Sequence, residues 1–178
     1  ATLVEGYRKA CRAVLADDEA ALRDAVFEIG YAHPDDPVEM TRNSVAIVRL
    51  ARDSPSEAAE HANALNLHLT PEQRGIVWGR IGHMAALRLD PEANDWYRRG
   101  GEHVGVGPDA VRIDEVLEWQ VRAALRAGDW SAVKSTIDRM PPSLRGDPAW
   151  IYWYGRALKA ESRPAEAQDH FAQIAPQF

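Results

Sequence analysis

Apolar residues recur along this chain at spacings of three and four, which is the period of an amphipathic helix packed on a core. No stretch shows the sustained alternation of apolar and polar residues that marks a half-buried strand. The pattern predicts about ten helices. They span residues 3–15, 19–31, 38–52, 55–66, 71–88, 91–100, 114–127, 129–139, 148–160 and 164–175. We therefore expect an all-α fold.

Several of these helices carry a start signal in which a capping side chain is followed by proline at the first helical position. Ser54 and Thr70 begin such signals, and the glutamate or glutamine three positions later completes a capping box in each case. Asp90 and Asp147 repeat the cap and the proline without the box. These signals define the helix starts more firmly than periodicity alone.

The first helix places Val4, Tyr7, Cys11 and Val14 on one face, and we expect this face to be buried. Cys11 is the only cysteine of the chain, so the sequence allows no intrachain disulfide and no cysteine-based metal cluster. Its place in the apolar stripe favours a small core residue over a reactive thiol.

The last third of the chain contains two copies of one unit, laid down at a constant offset. The matching pairs are Trp119 with Trp153, Arg122 with Arg156, Ala123 with Ala157, Ile137 with Phe171, Met140 with Ile174 and Pro142 with Pro176. The offset is that of a tetratricopeptide repeat, a helix–turn–helix unit of about 34 residues that cannot bury its apolar face alone. We expect the helix pairs to stack into an α/α superhelix, so that residues 1–178 form a single elongated domain.

The charge and hydropathy of the chain limit its partners. The 178 residues carry a formal net charge of -6, so no basic stripe is available to neutralise phosphates, and we expect no nucleic-acid partner. No run approaches the roughly 18 apolar residues of a spanning helix, so we expect no membrane span. The chain begins at Ala1 rather than at methionine, which favours a processed product or a piece of a longer protein.

The sequence shows no motif for a cofactor, a metal or an activated nucleophile. Residues 100–108 are rich in glycine, but no lysine follows and no strand precedes them, so a loop between repeats fits better than a phosphate cradle. The histidines lack the His-Glu-x-x-His spacing of a zinc site, and no Gly-x-Ser-x-Gly elbow occurs. We expect neither a cofactor nor a metal, and function must be sought in surfaces and partners.

Aromatic and basic residues crowd the helix predicted at 148–160 and form the best candidate for a binding surface. Trp150 and Tyr154 lie one turn apart, while Tyr152, Arg156 and Lys159 form a second strip with cationic ends. Flat rings with polar rims can stack on sugar faces, and the cations can meet peptide carboxylates. The competing interpretation is packing against the next helix pair or against another domain. The five residues are therefore candidates for a glycan contact or a domain interface.

Three segments have sequences that are more specific than a generic helical repeat. They read RIGHMAALRLDPEA at 80–93, VLEWQVRAALRAGDW at 116–130 and DPAWIYWYGRAL at 147–158. They resemble the helical region of the soluble lytic transglycosylases, periplasmic enzymes that cut peptidoglycan, and the likeness extends over residues 42–178. The resemblance implies a U-shaped superhelical domain that supports a separate lysozyme-like catalytic domain. The intact enzyme of this family cleaves the bond between N-acetylmuramic acid and N-acetylglucosamine and leaves a 1,6-anhydro end.

The catalytic glutamate of that family stands in a Glu-Ser pair followed by an aromatic residue, with a Gly-Leu-Met-Gln segment further on. The nearest match here is Glu161 with Ser162, but Arg163 and Pro164 follow, and no Gly-Leu-Met-Gln segment occurs. The register of the repeat places Glu161 and Ser162 in a turn between helices. General acid catalysis needs an enclosed cleft, which such a turn does not supply.

Two hypotheses of different class follow. The first is the non-catalytic superhelical scaffold of a periplasmic soluble lytic transglycosylase, whose partners are peptidoglycan strands and the separate catalytic domain. The second is a free-standing tetratricopeptide-like adaptor that binds a protein segment in its groove. The sequence downstream of the chain distinguishes them, because only the first requires a catalytic segment there.

Overall fold

The computed structural model describes residues 3–105 and 113–175, and it confirms the all-α class. These residues form eleven α-helices, one more than the sequence pattern indicates, and no strand. The helices are α1 Leu3–Leu15, α2 Glu19–Ala32, α3 Pro37–Leu50, α4 Pro55–Leu65, α5 Pro71–Leu87, α6 Ala93–Gly100, α7 Ile113–Ala127, α8 Trp130–Arg139, α9 Pro142–Arg145, α10 Pro148–Ala160 and α11 Pro164–Ile174, with a 3-10 turn at Gly101–His103. The expectations about Gly107 and Pro176 lie outside the described residues.

Capping side chains set most helix starts where the sequence predicts them. Thr70 forms the predicted capping box: its hydroxyl accepts from the Gln73 amide at 3.2 Å, and the Gln73 side chain accepts from the Thr70 amide at 2.9 Å. Ser54 accepts from the Glu57 amide at 3.4 Å, but the Glu57 carboxylate lies 3.8 Å from Arg23 of α2 instead of returning to the cap. The capping-box prediction is therefore confirmed at Thr70 and wrong at Ser54.

One helix start and one additional short helix differ from the sequence-based expectation. The Asp90 carbonyl accepts from the Ala93 amide three positions on, at 3.2 Å, so Pro91 lies in a turn and α6 begins at Ala93. The short helix α9 follows Pro141 and begins with a second proline at its first position, which suits a helix start. The sequence pattern does not predict this helix, because one turn is too short for periodicity to reveal it.

Each helix packs mainly on its neighbours in the chain, so the core is extended rather than central. α3 also contacts α5, and α5 contacts α7, which places alternate helices side by side. One core cluster gathers around Ile47, Trp78 and Tyr97, and a second gathers around Val121 and Ile137, all of them fully buried. Stacked helix pairs require neighbour-to-neighbour packing of this kind. The superhelical course of the whole chain remains a prediction.

Four helix pairs, α1–α2, α5–α6, α7–α8 and α10–α11, are joined by one and the same turn. In each, a residue in the left-handed region follows the first helix, and the next amide donates to a carbonyl five positions earlier. The left-handed residues are Asp17, Leu89, Gly128 and Ser162, with φ of 54, 61, 69 and 63°. Gly128 and Ser162 have the same offset as Trp119 and Trp153 of the sequence repeat. The sequence repeat is therefore also a repeat of backbone geometry.

The burial predicted for Cys11 is wrong. Cys11 is exposed, and Val4 and Val14 on the same face are 60% and 61% exposed. α1 turns its small residues toward α2 instead: a Cβ added at Gly6 would fall 2.4 Å from Ile29 Cγ1, so the two helices approach closely there. Periodicity identifies an apolar face, but this close approach decides which side of the helix is buried.

Candidate functional site

All five candidate residues lie on α10, a helix whose start is determined by its cap. Asp147 accepts from the Ala149 amide at 2.8 Å, and proline occupies the first helical position. With that start, the helical period points residues 150–154 to different sides of the helix. Trp150 is only 6% exposed, whereas Tyr152 is 37% exposed. The structure divides the candidates between two separate clefts.

The first of these, which we name the α10 cleft, has a volume of about 640 Å³ and lies where α8, α10 and α11 meet. It is lined by Trp130, Tyr152, Arg156, Lys159, Ala160 and Phe171. Three of the five sequence-based candidates are therefore brought together. Among the described residues, the lining contains aromatic rings and cations but no acidic side chain.

The rings and the guanidinium group of the α10 cleft hold one another in place. Arg156 donates a hydrogen bond to the Tyr152 hydroxyl at 2.9 Å, and its guanidinium carbon lies 5.9 Å from the ring centres of both Trp130 and Tyr152. The Tyr152 ring centre lies 5.8 Å from that of Phe171. Aromatic faces attract a cation without neutralising its charge. The cleft therefore presents ordered positive charge beside flat apolar surface.

No described acid neutralises the cations of the α10 cleft. Among the residues that the structure describes, Arg156 has no carboxylate within ion-pair distance, and Lys159 has neither a hydrogen bond nor an ion pair. The equivalent arginine one repeat earlier, Arg122, pairs with Glu118 at 3.0 Å. Tyr152 occupies the position in the last repeat that Glu118 occupies in the preceding one, so a phenol stands in place of that carboxylate.

Trp150 and Tyr154 line a separate, smaller cleft of about 340 Å³. Trp150 belongs to the second core cluster, and the Arg122 guanidinium carbon lies 5.4 Å from its ring centre. Tyr154 donates a hydrogen bond to Asp138 at 2.8 Å, and Lys134 donates to the other oxygen of Asp138, also at 2.8 Å. Both candidates are therefore engaged with side chains of the chain itself.

In the group formed by Lys134, Asp138 and Tyr154, the carboxylate and the ammonium group neutralise each other. Burial raises the pKa of Tyr154, and its hydrogen bond to Asp138 raises that pKa further. Burial by itself would raise the pKa of Asp138, but the hydrogen bonds from Lys134 and Tyr154 outweigh it and lower that pKa. The hydrogen bond to Asp138 raises the pKa of Lys134. The three shifts together favour a closed ion pair beside a neutral phenol.

Glu161 and Ser162 lie in the left-handed turn between α10 and α11. Ser162 has a φ of 63°, and Glu161 is exposed, with its carboxylate 3.9 Å from Arg163. An exposed turn does not supply the enclosed cleft that general acid catalysis needs. The geometry of this pair is that of a helix end.

A further cleft of about 880 Å³ lies between α6, α7 and α8 and corresponds to no motif in the sequence. Arg139 lines it and donates to the Gln120 side chain at 2.7 Å and to the Val104 carbonyl at 2.9 Å. Burial lowers the pKa of Arg139. These bonds tie the chain after α6 to α7 and α8, so we assign Arg139 a structural role.

Two aromatic residues of the α10 cleft, Trp130 and Phe171, are not among the sequence-based candidates for binding. The helical period groups residues of one helix only, whereas Trp130 comes from α8 and Phe171 from α11. A signal in the sequence is the glycine at position 155, inside a predicted helix. In the structure a Cβ added there would lie 2.6 Å from Phe171 Cε1. A glycine inside a helix can mark the place where a large ring of another helix packs.

No protein-family model matches this chain, and no curated protein matches it significantly. Within residues 3–105 and 113–175, no group of three or more His, Cys, Asp and Glu side chains could hold a metal ion. None of the described helices combines the length and the apolar composition of a membrane span. The resemblance to the transglycosylases therefore stays a prediction.

Proposed function

We propose that this chain is the non-catalytic superhelical scaffold of a periplasmic soluble lytic transglycosylase that acts on peptidoglycan. The proposal rests on where the three segments that resemble the transglycosylases lie in the fold. They fall mainly on α5, on α7 and on α10, each of which is the first helix of a pair closed by the same left-handed turn. Sequence likeness and repeated backbone geometry thus coincide along one continuous run of packed helices.

In this proposal the helix pairs supply rigidity rather than chemistry. Glycines let the helices of a pair interlock closely: Gly82 faces the ring of Tyr97, and Gly155 faces the ring of Phe171. A rigid superhelix can hold a catalytic domain and guide a glycan strand past it. Cleavage between N-acetylmuramic acid and N-acetylglucosamine, with formation of the 1,6-anhydro end, is the task of the separate lysozyme-like domain.

The α10 cleft is the proposed contact with peptidoglycan. Tyr152, Arg156 and Lys159 supply an accessible ring and two cations without a carboxylate partner. Trp150 and Tyr154, which are engaged within the chain, serve packing. The exposed turn at Glu161 has no part in catalysis.

Binding to purified sacculi is the first test. The folded chain is expected to sediment with sacculi and to release no 1,6-anhydromuropeptides on prolonged incubation. A heat-unfolded sample of the same chain serves as the control for non-specific adhesion. Release of anhydromuropeptides would contradict the scaffold role, and a chain that stays in the supernatant would contradict the contact with peptidoglycan.

Reading the source gene outward from both ends of the chain tests the parent enzyme. We expect an upstream secretion signal, and a downstream Glu-Ser-aromatic pair followed by a Gly-Leu-Met-Gln segment. A stop codon directly after Phe178 would instead favour the tetratricopeptide-like adaptor. Peptide ligands with no glycan affinity would then be the expected partners.

A further inference from the structure

The last repeat differs from the preceding one at a position that changes the charge balance of the α10 cleft. Arg122 and Arg156 occupy equivalent positions in the two repeats. Arg122 is bound by the Glu118 carboxylate at 3.0 Å, whereas Arg156 has the Tyr152 hydroxyl in that place, at 2.9 Å. A phenol accepts the hydrogen bond but carries no charge at neutral pH. Among the described residues, no carboxylate therefore offsets the charge of Arg156 at the cleft.

Lys159 adds a second cation one helical turn along α10. Its side chain lines the same cleft and forms no hydrogen bond or ion pair with any described residue. No acidic residue of the described ranges lines the cleft, although the whole chain carries a net charge of -6. The α10 cleft is therefore a local positive site on a net-acidic chain, complementary to an anion.

The aromatic lining decides which kind of anion uses the whole cleft. A small inorganic anion would meet the cations but leave the rings of Trp130, Tyr152 and Phe171 in contact with water. A peptide with a free terminal carboxylate can place that group against Arg156 and lay its adjoining residue on the rings. The volume of about 640 Å³ is that of a site for a small ligand.

We propose that the α10 cleft binds the free carboxylate of a short peptide. Arg156 and Lys159 hold the carboxylate, and the rings of Trp130, Tyr152 and Phe171 cover the residue next to it. The identity of the peptide rests on the proposed function: it is a peptide stem of peptidoglycan, recognised by its charge rather than through the sugar rings.

A calorimetric titration with two probes of different charge tests the proposal. The probes are a synthetic stem tetrapeptide with free carboxylates and the same peptide with every carboxylate amidated. We expect the free acid to bind about tenfold or more tightly than the amide, and its affinity to fall as salt is added. Equal binding of the two probes, or binding of neither, would overturn the proposal. So would a chito-oligosaccharide that binds in the cleft and displaces the free acid.

Variants of the cleft supply matched controls, each checked for an unchanged circular dichroism spectrum. The double variant Arg156→Gln, Lys159→Gln is expected to lose the binding, whereas Arg122→Gln keeps it because Arg122 is already paired. Tyr152→Glu restores the carboxylate of the preceding repeat and is expected to weaken binding about tenfold by internal competition. Tyr152→Phe keeps the ring and the free cation and is expected to bind. Unchanged binding by the double variant would contradict the assignment.

The cleft proposal and the scaffold proposal fail separately. If the chain binds sacculi and the variant without Arg156 and Lys159 binds them equally well, the cleft proposal is overturned and the scaffold stands. If the chain does not bind sacculi but binds the free-acid peptide through these two residues, the carboxylate site stands. Peptidoglycan is then ruled out as the source of the peptide.

Discussion

Phe171 of α11 packs directly against Gly155 of α10, where an added Cβ would lie 2.6 Å from Phe171 Cε1. At the same register one repeat earlier, Val121 and Ile137 are both fully buried. Two helix pairs thus fill equivalent positions with different combinations of small and large residues. We expect Gly155→Val alone to lower the free energy of unfolding by about 1–3 kcal/mol through overpacking, as measured by urea denaturation.

The double variant Gly155→Val, Phe171→Ile reproduces the residues of the preceding pair. We expect it to recover most of the stability lost in Gly155→Val, because the volume at the junction is again balanced. Phe171→Ile alone leaves a gap over glycine and is expected to cost about 1–2 kcal/mol. A double variant no more stable than Gly155→Val would show that the two pairs do not share this packing.

The left-handed turns predict a stabilising substitution. Ser162 has a φ of 63° where Gly128 has 69° in the equivalent turn. Because the left-handed region costs a residue with a Cβ roughly 1–2 kcal/mol, Ser162→Gly is expected to raise the free energy of unfolding by about 1 kcal/mol. Gly128→Ala should lower it by a similar amount. Ala160→Gly, at the last residue of α10, is the control and should not raise it. A less stable Ser162→Gly variant would refute the turn assignment.

Asp129 caps α8 and also binds a neighbouring helix. One oxygen accepts from the Ala132 amide at 3.0 Å, and the other accepts from the Asn94 side chain at 3.1 Å. Asp18 caps α2 after the same kind of turn, and within the described part of the chain its side chain accepts from the Ala21 amide alone, at 2.9 Å. We expect Asp18→Ala to cost about 1 kcal/mol of unfolding free energy and Asp129→Ala about 2 kcal/mol, because the buried Asn94 amide also loses its partner. Equal losses in thermal or urea denaturation would mean that the link to α6 contributes nothing.

The lowered pKa of His61 predicts how the free energy of unfolding changes with pH. Its ring centre lies 3.7 Å from that of Phe27, and its imidazole is hydrogen-bonded to the Tyr31 hydroxyl. Burial lowers the pKa of His61 in the folded state. Folding then favours neutral imidazole, so this stability is present above the ordinary histidine pKa of about 6.5 and is lost as the pH falls through it.

Two measurements test the pH prediction. An NMR titration of the His61 ring protons should give a pKa below about 6.5. Urea unfolding between about pH 7.5 and pH 5.5 should show a shallower loss of stability in His61→Gln than in the wild-type chain. A His61 pKa at or above the ordinary value would contradict the prediction.

Most helix limits could be predicted because caps and prolines act locally. α10 is expected at 148–160 and is found at Pro148–Ala160, where the cap Asp147 and the following proline define its start. The same signal at Asp90 predicts a wrong start for α6, although both aspartates accept a hydrogen bond from the amide two positions on. The two sites differ in the backbone: the Asp147 carbonyl accepts from the Ile151 amide four positions on, at 3.1 Å, whereas the Asp90 carbonyl accepts from the Ala93 amide three positions on, at 3.2 Å.

The α10 cleft could be predicted only in part. Tyr152, Arg156 and Lys159 share a strip of one helix, and the helical period is enough to group them. Trp130 and Phe171 reach the same cleft from α8 and α11, and nothing in the helical period places them there. Their position depends on how three helices pack, which in turn depends on residue sizes far apart in the chain.

By itself, the sequence determined the all-α class, the position of nearly every helix and the repeat in the last third of the chain, because capping and helical periodicity act over a few residues. The tertiary structure alone decided which face of α1 is buried and which rings surround Arg156. Cys11 is exposed because the small face around Gly6 approaches α2 more closely than the larger face could. Which residues are buried depends on how the helices pack together, and the sequence of one helix does not specify that packing.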